Sequence, residues 1–183
     1  MYWYKPLKKY VSFTGLSLLL CCGYACKPEI KETGAELKYF DIKEYFKTQA
    51  DKLQAQNPLV NKSVKHNGTT ESKRLSIGNW ERELSSFTES DINKPAWKSS
   101  YSIDSSANTV TYKAKLPELK TREVVISKKD GKVTGVVVVN DTKNLLYNTS
   151  ERLSYYPDSC YIINKIQTVK VIGANSYEIK GKF

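Results

Sequence analysis

An α+β domain is what the sequence predicts: two N-terminal helices with a hairpin between them, packed on a C-terminal antiparallel meander sheet. Three observations carry that expectation. Apolar residues recur at helical spacing over 42–53, and the period changes to alternation after residue 59. The dipeptides Asn67-Gly68 and Asp130-Gly131 stand between alternating runs, which is the strongest short hairpin signal. Beyond residue 99 the runs are rich in β-branched and aromatic residues joined by short links, so neighbouring strands must be antiparallel.

Residues 8–26 read KKYVSFTGLSLLLCCGYAC. Lys5, Lys8 and Lys9 lead into an apolar run over 11–22, broken only by Ser12, Thr14, Gly15 and Ser17. A membrane-crossing helix needs roughly 20 apolar residues, so this run is too short and its flanks are those of an export signal. Gly23-Tyr24-Ala25-Cys26 resembles the lipobox of bacterial lipoproteins, in which a small residue precedes the cysteine that receives lipid and becomes the mature N-terminus. Ala25 fits that small position, and Tyr24 departs from the usual pattern. Cys22 is the competing anchor, but Cys21 stands where Gly, Ala or Ser is expected. A secretory signal without lipid is the remaining alternative. The resemblance implies a signal peptide over 1–25 and lipidation at Cys26.

Removal of 1–25 would leave 158 of the 183 residues, enough for one domain with a real core. Three of the 29 basic residues lie in that segment, so 26 cations against 19 carboxylates give the remainder a charge of +7. Of the four cysteines, Cys26 and Cys160 remain, and an acylated Cys26 cannot form a disulfide. Cys160 sits in an apolar strand pattern and is expected to be a buried, inert thiol. Residues 26–38 alternate in charge around Pro28 and Gly34 and read as a flexible tether, which leaves 39–183 as the single domain.

The first helix follows Asp41, an N-cap with Glu44 three residues on, flanked by Phe40 and Tyr45 as a hydrophobic staple. Ile42, Phe46, Ala50 and Leu53 share its inner face, and Asn57-Pro58 ends it. Residues 59–77 then alternate around Asn67-Gly68 as a polar, half-exposed hairpin whose tip carries His66, the single histidine. A histidine there is a solvated residue unless partners surround it. A second helix is expected from Asn79, with Trp80, Leu84 and Phe87 on one face.

Residues 90–97, SDINKPAW, exceed what a simple connector requires. Asp91, Asn93 and Trp97 are either a corner locked by side-chain-to-backbone hydrogen bonds or a binding loop. The strands that follow should form one sheet over 101–183. Val136 to Val139 is apolar on both faces and belongs at its centre, with Val137 and Val139 buried. Tyr155 and Tyr156 are consecutive, so one must point away from the face the other packs against. An outward tyrosine beside Trp97 would make an anchor for a sugar ring or a partner's side chain.

No nucleophile elbow, zinc-binding helix motif, phosphate-cradling glycine loop or paired Cys and His spacing occurs. The expectation is therefore a non-enzymatic protein without cofactor or metal. Its basic excess is dispersed over hairpin and sheet, which argues against nucleic acid as partner. Tyr39-Phe40-Asp41, the segment 90–97 and the ending over 171–177 give the domain a diffuse likeness: it resembles the small, uncharacterised lipoproteins common in Bacteroidota. That resemblance implies no activity. It implies a lipid-anchored outer-membrane address, periplasmic or surface-facing, and Lys27 is compatible with it. Two functions fit: a module that binds an envelope protein, or a carbohydrate-binding accessory protein that uses exposed aromatics, suggested by 13 tyrosines and 3 tryptophans.

Overall fold

A computed structural model of the chain describes residues 37–171 and 173–183. The expected export signal over 1–25, the expected anchor Cys26 and most of the expected tether over 26–38 lie outside the described residues.

The described chain is predominantly β, which corrects the expected α+β arrangement. Strands β1 (Leu59–His66), β2 (Thr69–Ser76), β3 (Tyr101–Ser105), β4 (Thr109–Ala114), β5 (Thr121–Lys129), β6 (Lys132–Lys143), β7 (Tyr147–Tyr156), β8 (Cys160–Val169) and β9 (Gly173–Lys182) form one sheet. Its order is β2-β1-β9-β8-β7-β6-β5-β4-β3, and every pairing is antiparallel. Helices are the minor component: α1 (Ile42–Gln56) and two single-turn helices, α2 (Trp80–Glu83) and α3 (Ser85–Thr88).

Two physical causes separate this from the expectation. The second helix does not propagate, because Ser85, Ser86 and Thr88 are weak helix formers and Leu84 divides the stretch into single turns. The hairpin is no separate unit between helices. Its first strand pairs with the last strand of the chain, Val64 opposite Ile179 and Lys62 opposite Gly181. That pairing covers an edge each would otherwise expose, and it turns hairpin and meander into nine continuous strands.

Local signals hold. Asp41 Oδ1 accepts the Glu44 amide at 2.9 Å, and the Phe40 and Tyr45 rings meet at 5.4 Å. Asn79 caps α2 through the Arg82 amide at 2.8 Å. Asn67-Gly68 and Asp130-Gly131 adopt positive φ at both residues, the conformation that joins twisted antiparallel strands in two residues.

One face of the sheet carries the helices and the core. Ile42, Phe46, Ala50 and Leu53 of α1 are buried with Trp80, Leu84 and Phe87, over Val124, Ile126, Val136, Val138, Leu153, Tyr155 and Tyr161. Phe46 stacks on Phe87 at 4.4 Å and meets Tyr155 edge-on at 5.1 Å. Val137 and Val139 were expected on this face, and the parity is the reverse: Val136 and Val138 are buried, while Val137 and Val139 are half-buried on the uncovered side. A run apolar at every position cannot show which parity faces the core. Cys160 likewise lies half-buried on the uncovered face, opposite Tyr156 and Lys182, and not in the core.

Candidate functional site

The residues singled out from the sequence do not all gather at one site. Tyr155 is wholly buried, its hydroxyl donating to Gln49 Oε1 at 3.1 Å. Tyr156 is 41 % exposed on the opposite face of the sheet. Trp97 belongs to a 3-10 turn (Pro95–Trp97), half-buried against the Tyr101 ring at 6.4 Å, with the Lys94 ammonium 4.2 Å from its own ring centroid. An outward tyrosine therefore does not stand beside Trp97.

The loop over 90–97 is held by its own side chains. Asp91 Oδ1 accepts the Asn93 amide at 3.0 Å. Asn93 then clasps the approach to α1: Oδ1 accepts the Tyr39 amide at 3.1 Å, and Nδ2 donates to the Tyr39 and Phe40 carbonyls at 3.3 and 3.0 Å. Ile92 plugs the core. His66 stacks flat on Tyr177, its exposed strand partner, at 4.4 Å. Of the described tyrosines, Tyr39, Tyr101, Tyr112, Tyr155 and Tyr161 are buried, so they form no exposed stacking row. Burial pushes the phenols of Tyr155 and Tyr161 well above their ordinary range, and Glu83 beside Tyr161 adds to that rise.

A different place gathers unused polar groups. On the helix-bearing face, three adjacent strands turn from apolar to polar at one level. Along β6 the inward series is Val136, Val138, then Asn140 and Thr142. Along β7 it is Tyr155, Leu153, then Glu151, Thr149 and Tyr147, and along β8 Tyr161, Ile163, then Lys165 and Gln167. The change falls where the helical layer ends. Lys120 closes the side, and the result is a cleft of about 200 Å³ lined by Lys120, Asn140, Thr142, Tyr147, Thr149, Glu151, Lys165 and Gln167.

Asn140 is the focus of this cleft. Only 1 % exposed, it donates from Nδ2 to Ser90 Oγ at 2.9 Å, and Ser90 Oγ donates onward to the Ser86 carbonyl at 2.8 Å. A register slip at Arg122 lets Thr121 and Val124 both face inward; Thr121 stands opposite Asn140 and its hydroxyl reaches the Ser90 carbonyl at 3.3 Å. The amide is thus locked in place by the end of the helical layer. Its Oδ1 has no partner, one of two such buried side-chain atoms among the described residues; the other is Trp80 Nε1. A buried acceptor left unpaired costs about 1–3 kcal/mol. Across the cleft Lys165 pairs with Glu151 at 3.0 Å, and Lys120 forms no ion pair among the described residues. The lining therefore carries a net positive charge with hydroxyl, amide and carboxylate groups around it.

No protein-family model, no curated protein and no solved structure matches the chain.

Proposed function

We propose that the chain is a lipid-anchored envelope lipoprotein whose domain is a non-enzymatic binding module, and that the Asn140 cleft is its ligand seat. The observation that carries the seat is the buried, unpaired Asn140 Oδ1 at a cleft where three strands turn polar together. An incoming O–H or N–H would satisfy that oxygen. Lys120 and Lys165 against Glu151 favour a ligand that brings a negative charge. Thr142, Thr149 and Gln167 offer both donors and acceptors, and the half-buried Tyr147 ring offers an apolar wall. A small, hydroxyl-rich acidic molecule, such as an acidic sugar unit, meets all of these demands. The carbohydrate reading is thereby favoured on a polar cleft and not on an aromatic platform.

Calorimetric titration of the full chain in non-ionic detergent with glucuronate, and with glucose as the neutral counterpart, tests the seat. Glucuronate should bind more tightly, and Lys120→Ala should remove most of that preference. Absence of binding by both sugars overturns the reading. The anchor is tested separately by the intact mass of the membrane-extracted protein, which should begin at a lipid-modified Cys26. An unmodified N-terminus, or one at Cys22, contradicts it.

A further inference from the structure

The face of the sheet turned away from the helices carries a second arrangement, independent of the Asn140 cleft. Where β2, β1 and β9 lie side by side, the registers set two neighbouring rows across the three strands. Arg74 pairs with Asn61, and Asn61 with Lys182; Ser72 pairs with Ser63, and Ser63 with Lys180. These six residues line a shallow groove of about 360 Å³. Lys62 and Lys73 complete its lining, and no carboxylate lines it.

Two other cation positions of the same sheet differ in composition: Lys113 faces Glu123 at 3.6 Å, and Lys165 faces Glu151 at 3.0 Å, each across neighbouring strands. Such cross-strand pairs stabilise a sheet, and like charges gathered together work against it. In the groove the intervening positions hold Asn61 and Ser63, and Arg74, Lys180 and Lys182 take part in no ion pair among the described residues. The nearest carboxylate in the pattern is Glu178, one row further on and opposite Lys65. Strands lie about 4.8 Å apart and alternate residues about 6.8 Å apart, so the patch measures roughly 10 by 7 Å. Three cations and three neutral hydrogen-bonding side chains over that span match an oxyanion that accepts several bonds at once.

We infer that this groove is a binding site for a phosphoryl group, with Arg74, Lys180 and Lys182 carrying the charge and Ser63, Ser72 and Asn61 completing the contacts. The group has two possible sources, a soluble phosphate compound or a phospholipid headgroup, and one readout separates them. Phosphorus NMR follows the full chain in non-ionic detergent, first with inorganic pyrophosphate and then with micelles doped with phosphatidylglycerol. The expected result is a saturable line broadening of at least one probe, relieved by added salt. The triple variant Arg74→Gln/Lys180→Gln/Lys182→Gln should weaken it about tenfold or more, the scale of a lost charge-assisted hydrogen bond. All three positions are exposed and carry like charge, so melting should not fall. Lys128→Gln/Lys129→Gln/Lys132→Gln removes the same charge beside the Asp130-Gly131 turn and should leave binding intact. Response of pyrophosphate assigns a soluble ligand, and response of the doped lipid alone assigns a headgroup. Silence of both probes, or equal loss in the two triple variants, overturns the inference.

Discussion

Gly181 lies against the ring of Tyr161, its register partner across β8 and β9: a Cβ added at Gly181 would fall 2.2 Å from Tyr161 Cε1. The ring cannot swing clear. It is wholly buried, meets Trp80 edge-on at 6.3 Å, and its hydroxyl donates to Glu83, which pairs with Lys62 at 2.6 Å. Gly181→Ala is therefore expected to destabilise the domain by about 2–3 kcal/mol through overpacking. Denaturant unfolding of the two proteins measures it, and equal midpoints would show that the sheet gives way freely at this point.

The parity of β6 makes a sharp contrast between neighbours. Val138 is wholly buried over the helices and Val137 is half-buried on the uncovered face. Val138→Asp should cost about 4 kcal/mol or more by burying an unpaired charge, and Val137→Asp distinctly less. Thermal melts of both variants decide this; the reverse ranking would mean that the sheet is turned over.

Asn93 ties the loop over 90–97 to the approach to α1 by three hydrogen bonds. Asn93→Ala leaves those partly buried backbone groups unpaired and should cost about 2 kcal/mol. Retained stability with lost binding would instead make the loop a ligand contact.

Alkaline pH should unfold the domain through its tyrosines. Burial, with Asp158 adding to it, raises Tyr45 to about 12, and burial raises Tyr101 to about 12 against the lowering influence of Arg122. Both titrate near 10.0 once unfolded. The folded state thus holds protons that the unfolded state releases, so stability is intact below pH 10 and falls as pH rises toward about 12. Urea midpoints across that window should decline steadily. A flat profile would mean that the phenols ionise without resistance in the folded protein.

What could be read from the sequence was local. Asp41, Asn79, Asn67-Gly68 and Asp130-Gly131 act within a few residues, and each behaves as its chemistry requires. What could not be read was non-local. Nothing near Val64 indicates that its strand pairs with Ile179 at the far end of the chain. The Val136–Val139 run had no alternation from which to assign a face. The Asn140 cleft left a trace: Asn140, Thr142, Thr149, Glu151, Lys165 and Gln167 each extend an apolar inward series with polar residues. That trace becomes a site only when the β6, β7 and β8 registers align the changes at one level.

Whether the Asn140 cleft takes a ligand is tested most directly by amide shift mapping of the full chain on addition of glucuronate. Saturable shifts at Asn140, Thr149 and Gln167, diminished in Lys120→Ala, are the predicted result. Shifts confined to the loop over 90–97, or none at saturating sugar, would contradict it.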